Sequence, residues 1–251
     1  MMTIMKNPII VLYILCTTVS VNVLGHGYMV YPLARQRHCY NGQDYYWPVD
    51  GAGIKDEGCR AAFQHVYTRN GNNSAAAQAM FNQNAEYAAM AGKDYRNLTH
   101  IRESVVPKYL CGAGAANASA RFGDKSGMDT VNVTWRTNTV PYKERDTFYF
   151  CPTAVHEPGY FEVYVSREGY DAGKSSLQWS DLELVYSNTS NLVTKKLDLC
   201  SSDRMYELRD VKIPLRSGGF VMYVRWQRED VGGEGFYNCV DVVHKQTKSD
   251  L

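Results

Sequence analysis

The 251-residue sequence lacks both a concentration of one charge and a second long apolar run. It has 27 Lys and Arg against 26 Asp and Glu, a formal net charge of +1, and the two signs are scattered along the chain. Proteins that neutralise phosphates or dock on anionic lipid carry a concentrated basic surface. Beyond residue 25, no stretch approaches the ~20 apolar residues that a membrane-spanning helix needs. We therefore expect neither a nucleic-acid partner nor a membrane span.

Motifs of several catalytic and metal-binding classes are also missing. There is no GxSxG nucleophile elbow and no CxxC pair of the kind found in structural zinc sites. A glycosidase needs two carboxylates about 5–10 Å apart in a groove. Strand alternation does not bring together the candidate carboxylates for such a pair, which are Glu157, Glu162, Asp181 and Glu183. These absences argue against covalent hydrolysis, structural zinc and ordinary glycoside hydrolysis.

Residues 1–25 have the pattern of a secretory signal peptide. An apolar stretch over residues 8–24 follows Lys6 and ends next to Gly25, a small residue of the kind that precedes a cleavage site. We expect residues 1–25 to be removed and the protein to be secreted. At the other end, Lys248 to Leu251 resembles a weak KDEL-type signal for retention in the ER. A solvated, charged tail over residues 245–251 is the alternative.

Cleavage after Gly25 would make His26 the first residue of the mature chain. A terminal histidine carries a free α-amine beside its imidazole, and the two nitrogens can chelate one metal ion. Such a nitrogen pair suits copper. A frayed terminus that happens to be histidine is the alternative interpretation.

Cysteines and glycosylation sequons agree with secretion. An even number of cysteines in a secreted chain predicts three disulfides, for which the spacing permits fifteen pairings. The cysteines that follow the predicted leader are Cys39, Cys59, Cys111, Cys151, Cys200 and Cys239. The N-x-[ST] sequons, which are candidate glycosylation sites, are Asn72, Asn97, Asn117, Asn132 and Asn188.

The part of the chain before residue 106 divides into two regions by pattern. Residues 26–58 are rich in aromatics, Gly and Pro without a sustained period, which predicts a loop. Residues 59–106 are alanine-rich, with apolar side chains at helical spacing. They predict a helical insertion in which Asn73 or Ser74 caps a helix that Gly92 ends.

Strand-like alternation dominates from Val131 onward and is clearest over residues 161–166 and 220–227, where it predicts half-buried strands. Further predicted strands cover residues 147–151, 182–187, 205–213 and 238–243. Several short strands separated by turns predict an all-β, antiparallel β-sandwich. The length favours a single domain over residues 26–244.

Among the histidines, His156 has a position that suits a ligand. The segment Cys151-Pro-Thr-Ala-Val-His-Glu-Pro ends a predicted strand and opens a turn, so the imidazole would lie on a loop at one end of the sandwich. A solvated loop histidine is the alternative. We expect His65, His100 and His244 to be surface or locally bonded residues, and His38 is ambiguous.

Six motifs then occur in one order along the chain. They are His26-Gly-Tyr with Pro32, Arg35 and Cys39; Phe122-Gly-Asp-Lys-Ser-Gly-Met-Asp129; Thr153-Ala-Val-His156; Trp179-Ser-Asp-Leu182; Trp226-Gln-Arg; and Glu234-Gly-Phe-Tyr-Asn-Cys239. In this order they resemble the bacterial-type chitin-binding lytic polysaccharide monooxygenases, and among them the fusolin- or spindolin-like proteins of insect viruses. The resemblance covers nearly all of the chain after residue 25. It implies that the sandwich is immunoglobulin-like, or fibronectin III-like, with the helical segment as an insertion near residues 59–106.

The resemblance also implies a metal centre on the flat end of the sandwich. One copper ion per chain would be held by the amine and imidazole of His26 and by one imidazole nitrogen of His156. Iron and zinc sites usually add further ligands or a carboxylate, and we expect no carboxylate beside these two histidines.

Four further residues are matched to this centre by the resemblance. Two are implied to be catalytic: Glu234 would contact the oxygen species or water near the metal, and Phe236 would cover the axial side of the ion. Ala154 would pack over the open face, and Trp226 would lie as a buried aromatic near the copper. Apart from the resemblance, the three apolar residues would look like ordinary core and Glu234 like a solvated turn carboxylate.

The implied activity is oxidative cleavage of glycosidic bonds in crystalline chitin, such as an insect's chitinous matrix. Its partners are the chitin surface, an external electron donor, and dioxygen or peroxide. Cellulose is an alternative substrate. The rival function is a non-catalytic protein that binds chitin or packs as a spindle-type structural protein, although a pure binder needs neither a terminal histidine nor a second one.

Substrate contact is expected from side chains that stack on or bond to sugar rings in the variable loop region. The candidates are Tyr28, Tyr46, Trp47, Phe81 and Glu86. Burial of the aromatics in the core would give the same composition. The resemblance further implies the disulfides Cys39–Cys59 and Cys111–Cys239, with Cys151 and Cys200 remaining as the third pair.

Overall fold

The computed structural model describes residues 26–245, so the predicted leader and the tail beyond residue 245 lie outside the described residues. Two β-sheets form a sandwich, and helices cover one side of it. The strands are β1 (His26–Tyr31), β2 (Ala88–Met90), β3 (Asn138–Pro141), β4 (Asp146–Ala154), β5 (Gly159–Ser166), β6 (Leu182–Thr189), β7 (Leu192–Thr194), β8 (Arg204–Val211), β9 (Phe220–Arg228) and β10 (Glu234–Lys245). The α-helices are α1 (Arg35–Gly42), α2 (Glu57–Arg69), α3 (Ser74–Asn82) and the short α4 (Leu98–His100).

The smaller sheet has four strands in the order β1-β4-β8-β7, and the larger has the order β2-β10-β9-β5-β6. Neighbours along both orders are antiparallel, while β3 runs parallel to the end of β10. The predicted all-β antiparallel sandwich is therefore confirmed. Strands of consecutive number are often far apart in a sheet, so residues distant in sequence become neighbours.

The larger sheet is covered on both faces. All residues of β5 and β9 are buried, because the smaller sheet covers one face and α2 and α3 cover the other. Phe161 and Trp226 face the smaller sheet, whereas Tyr223 packs in the cluster that contains Phe63 of α2. The expectation that these strands are half-buried is wrong, since alternation here separates two buried faces.

Two element predictions in the first half of the chain also need correction. Residues 26–58 contain β1 and α1, although they were expected to form a loop. Four successive residues of β1 are buried, so no alternation marks this strand. Helix α1 buries the polar Arg35 and Gln36 together with Cys39, which hides its helical period.

The helical insertion is present and begins as expected. Asn73 caps α3 by accepting a hydrogen bond from the Ala76 N–H at 3.2 Å. The helix ends at Asn82, however, and not at Gly92. The residues between include β2, which pairs with the start of β10, so pairing with the sheet prevails over the alanine-rich composition.

Three disulfides connect elements that the sequence leaves far apart. They are Cys39–Cys59, Cys111–Cys239 and Cys151–Cys200, with Cα–Cα distances of 5.3, 5.1 and 5.7 Å. They match the pairing that the resemblance implies. The five sequon asparagines are all exposed, and their glycosylation stays a prediction. Within residues 26–245, no helix has the length and apolar character needed to cross a membrane.

Candidate metal centre

Pairing of β1 with β4 brings the two candidate ligands to the same end of the sandwich. His26 lies opposite Ala154 in the antiparallel register, and His156 follows two residues later on the turn that leads into β5. The start of β1 is anchored further by the Gly27 N–H, which donates to the Ala85 carbonyl at 3.0 Å. The smaller sheet thus joins positions 26 and 156 through main-chain pairing.

Below His26 lies a stack of buried aromatic rings. The Phe236 ring meets the His26 imidazole edge to face, with ring centres 6.4 Å apart. Phe236 stacks on Trp226 at 5.1 Å, and Trp226 packs against Tyr206 at 5.0 Å. Phe236, Trp226 and Tyr206 are fully buried, so this side of the centre is apolar and closed to water.

Tyr206 holds the main chain of His156 at the other end of this stack. Its hydroxyl donates to the His156 carbonyl at 2.9 Å and lies 3.2 Å from the His156 N–H. Sequence reasoning missed this residue because it lies on β8, and the pattern of that strand shows only a buried aromatic. The stacked rings of Phe236, Trp226 and Tyr206 therefore contact both histidines, Phe236 at the imidazole of His26 and Tyr206 at the main chain of His156.

A second group that sequence reasoning missed is polar and comes from the turn between β9 and β10. The Arg228 guanidinium bonds to Glu234 Oε2 and to Asp230 Oδ2, each at 2.6 Å. Asp230 Oδ2 also lies 3.1 Å from His156 Nε2. On the other side, Glu86 Oε1 is 3.9 Å from His26 Nε2. The expectation of no carboxylate beside the histidines is wrong, because a hairpin turn and a loop supply one to each.

The charges of this group follow from burial and pairing. Burial alone would raise the pKa of Asp230, but the Gly233 N–H and Arg228 hold it below its ordinary value, so the carboxylate is ionised. Burial lowers the pKa of the His156 imidazole, Arg228 lowers it further, and Asp230 acts in the opposite direction. At this turn Asp230 and Glu234 both pair with the single guanidinium of Arg228.

Glu234 is the most enclosed of these acids. It is fully buried, and although Oε2 is paired with Arg228, Oε1 has no hydrogen-bond partner. Burial raises the pKa of Glu234, while Arg228 and His26 oppose that rise. A buried carboxyl oxygen without a partner is costly, which is consistent with an oxygen kept available for a ligand or water. The description of Glu234 as a solvated turn carboxylate does not apply.

Two of the proposed substrate contacts are corrected by burial. Tyr28 is 1% exposed, its hydroxyl donates to the Leu199 carbonyl, and its ring packs in a small buried cluster with Cys151, Cys200 and Met205. Phe81 is 0% exposed and packs edge to face on Tyr45. Phe81 lies in the cluster between the helices and the larger sheet and Tyr28 in the separate small cluster, so neither ring is available to a ligand.

Tyr46 and Trp47 are placed differently. They are 48% and 77% exposed on the segment after α1. The Tyr46 hydroxyl donates to Asn82 Oδ1 at 3.1 Å, which ties this segment to the chain that leads to Glu86. These two aromatics and Glu86 remain available for contact with a large ligand.

A second group of metal-binding residue types lies away from this centre. Atoms of His38, Asp56 and Cys59 lie close enough to one another to hold an ion. The Cys59 sulfur is bonded to Cys39, however, and Asp56 pairs with His38 at 3.0 Å while capping α2. A disulfide sulfur is not the thiolate that metals prefer, so this group is a histidine–carboxylate hydrogen bond at a helix start.

The donor set around His26 and His156 fits a copper ion better. It offers two imidazoles, flanking carboxylates from Glu86 and Asp230, and the unpartnered Oε1 of Glu234. Imidazole nitrogens suit copper, and the α-nitrogen of His26 would add a third nitrogen if the chain begins there. The buried aromatic rings would close the inner side of an ion held here.

The chain is similar to several known proteins. The chain is 42% identical over 258 residues to spindolin of Choristoneura biennis entomopoxvirus, which covers 96% of this chain and 75% of that protein. A solved structure of fusolin spindles from Anomala cuprea entomopoxvirus matches with a TM-score of 0.82 and 43% identity, covering 90% of this chain and 94% of that one. Chitin-binding protein CbpD of Pseudomonas aeruginosa is 29% identical over 154 residues, 60% of this chain and 36% of that protein.

The family described as lytic polysaccharide mono-oxygenase, cellulose-degrading, matches residues 26–242. That range includes both histidines, the turn that carries Asp230, and every strand except the last residues of β10. The chain therefore belongs to the lytic polysaccharide mono-oxygenase family.

Proposed function

We propose that this protein is a copper-dependent monooxygenase that cleaves glycosidic bonds on the surface of crystalline chitin. The observation that carries the proposal is the register of β1 on β4, which sets His26 beside the residues that lead to His156. Membership of the family supports it. The proposal includes secretion with removal of residues 1–25, because only then does His26 supply its α-amine.

His26 and His156 would hold the ion. Copper bound there would supply one-electron redox chemistry, with an external donor as the reductant and dioxygen or peroxide as the oxidant of a sugar carbon beside the glycosidic bond. The chain's own residues provide the setting. Phe236 and Trp226 exclude water from the inner side of the centre, since both are fully buried. Ala154, opposite His26 in the strand register, would pack over the open face.

Glu234 would handle protons at the centre. Burial raises the pKa of this carboxyl group and its Oε1 has no hydrogen-bond partner, so Oε1 is the oxygen that would take up or release a proton at the centre. Arg228 fixes the other oxygen, so the carboxyl group keeps one orientation. This pairing gives Glu234 a defined direction for proton transfer.

Chitin is the substrate that we favour. The similar protein from Pseudomonas aeruginosa is named chitin-binding, and exposed Tyr46 and Trp47 offer apolar faces on which sugar rings can stack. Since two relatives are proteins of insect poxviruses, the target would be an insect's chitinous matrix. The family description names cellulose, so cellulose is the comparison substrate.

The test uses a mature protein that begins at His26. It is loaded with copper, given a reductant, and incubated with chitin or cellulose, and soluble products are identified by mass spectrometry. We expect oxidised chito-oligosaccharides, and none from the His156→Ala variant. If that variant released the same products, catalysis at this centre would be disproved.

A second candidate function is a non-catalytic one. The similar fusolin structure is one of spindles, which favours a protein that binds chitin or assembles with copies of itself. In that case the copper-loaded protein would sediment with chitin and release no oxidised products. The same incubation therefore separates the two functions.

A further inference from the structure

We propose that Asp230 is a positioning residue that sets the charge of the centre, so that the site binds a divalent copper ion more tightly relative to a monovalent one. This inference rests on the proposed function insofar as His26 and His156 hold copper. It concerns a residue outside the six motifs, in the turn between β9 and β10.

The first argument is proximity. Asp230 Oδ2 lies 3.1 Å from Nε2 of His156. A carboxylate at this distance bonds to the imidazole and restricts its rotation. A carboxylate that bonds to the ring nitrogen opposite the metal orients a ligating histidine and makes it a stronger donor, a role that Asp230 has if His156 offers Nδ1 to the ion.

The second argument is that Asp230 is itself held rigidly. Its Oδ1 accepts hydrogen bonds from the Gly232 and Gly233 N–H groups at 3.0 and 2.9 Å. Its Oδ2 is bonded to Arg228 at 2.6 Å. Gly233 has a φ of +55°, and a Cβ there would lie 1.9 Å from the Gly92 carbonyl oxygen, so only glycine fits this turn. The backbone thus fixes the carboxylate before any ligand arrives.

The third argument is the balance of charge. Arg228 is buried and bonds to Glu234 as well as to Asp230. One guanidinium cannot neutralise two carboxylates, so the turn is negative whenever both acids are ionised. Glu86 adds a further carboxylate on the side of His26.

A fixed negative charge acts on an ion in proportion to the ion's own charge. It therefore stabilises Cu(II) more than Cu(I). Loss of the Asp230 charge should weaken binding of Cu(II) and change binding of Cu(I) much less. Arg228 and water screen part of the effect.

The experiment measures dissociation constants for both ions with the mature protein that begins at His26. Cu(II) is followed by competition with a chelator, and Cu(I) by competition with a Cu(I)-specific chelator under anaerobic conditions. For Asp230→Asn, the dissociation constants for both ions are compared with those of the parent. The factor by which the Cu(II) constant rises should be about ten times the factor for Cu(I), a difference of about 1.4 kcal/mol. Asp230→Glu, which keeps the charge, should restore most of the difference.

Glu229→Gln is the matched control. It removes the same charge from the neighbouring position, where the side chain pairs with Arg96 and not with a histidine. We expect both constants to stay within about twofold of the parent. Thermal unfolding of the metal-free proteins shows whether each variant is folded.

Equal changes in the two constants, or none, would overturn the role of Asp230 while leaving copper binding intact. Tighter Cu(II) binding by Asp230→Asn would also overturn it, since Asp230 would then compete with the ion for His156. If the parent protein bound no copper through His26, the proposed function and this inference would fail together.

Discussion

The Tyr206 hydroxyl bonds to the main chain of His156, as donor to its carbonyl at 2.9 Å and at 3.2 Å from its N–H. This contact joins β8 to the turn after β4, so the position of one candidate ligand depends on a strand 50 residues later in the sequence. Because Tyr206 also packs on Trp226, the hydroxyl couples the turn to the aromatic core.

Replacing Tyr206 with Phe tests this coupling. The ring stays in place, so we expect a loss of about 1 kcal/mol in the free energy of unfolding, the usual value of one hydrogen bond. The Cu(II) signal in electron paramagnetic resonance should broaden, because the His156 turn loses its anchor. An unchanged spectrum would show that Tyr206 has only a packing role.

Phe236 and Phe81 make a matched pair, since both are 0% exposed but only Phe236 touches His26. We expect Phe236→Ala and Phe81→Ala each to cost about 3–5 kcal/mol in denaturant unfolding, the range for buried aromatics. Only Phe236→Ala should alter the Cu(II) spectrum. If Phe81→Ala instead lowered chitin binding without loss of stability, its assignment to the core would be wrong.

An extension before His26 tests the need for a free amine. A chain that begins with Gly-Ser ahead of His26 loses one nitrogen ligand while keeping both imidazoles. We expect its Cu(II) affinity to fall by at least about 100-fold. Loss of a residue that only hydrogen-bonds to a metal ligand already lowers metal affinity by up to about 100-fold, and the amine would itself be a ligand. Isothermal titration of the two proteins measures the difference. Equal affinities would remove the amine from the ligand set.

Trp47 tests the substrate face. It is 77% exposed, so Trp47→Ala should leave the free energy of unfolding unchanged within about 0.5 kcal/mol. We expect affinity for chitin in a sedimentation assay to fall by about fivefold or more, as the sugar loses a stacking surface. Tyr142→Ala, which removes another exposed aromatic on the segment after β3, should bind chitin normally.

Lys125 predicts a dependence of stability on pH. Burial lowers the pKa of this lysine from 10.5 to about 7, although its Nζ donates to Gln83 Oε1 at 2.6 Å. Between these two values the unfolded chain binds more protons than the folded one, so stability rises with pH, by up to about 1.4 kcal/mol per pH unit.

Chemical denaturation at pH 7, 8 and 9 should therefore show the parent gaining stability relative to Lys125→Met. The exposed Lys108 provides the control, because Lys108→Met should run parallel to the parent over the same range. A parallel course for Lys125→Met would contradict the shift.

Local patterns were sufficient for the main strands and for one helix start. The residues of β6, β8 and β10 alternate or cluster as strands do, and Asn73 caps α3 because its side chain reaches the Ala76 N–H. They were insufficient for β1, which buries successive residues and so shows no strand alternation. They were also insufficient for α1, which buries polar residues and so shows no apolar helical period. Burial of both faces of β5 and β9 also has no local signal.

The sequence by itself determined which residues of the chain we propose for the chemistry: His26, His156, Glu234 and Phe236 lie within ordered motifs, and motif order is a property of sequence. Tertiary structure alone decided what surrounds them. Asp230, Arg228 and Tyr206 reach the histidines through hairpin geometry and strand order, and Tyr28 and Phe81 are buried in two different clusters by the segments that cover them. A residue's spacing indicates which face it occupies, whereas only the packing of sheets and helices determines what that face meets.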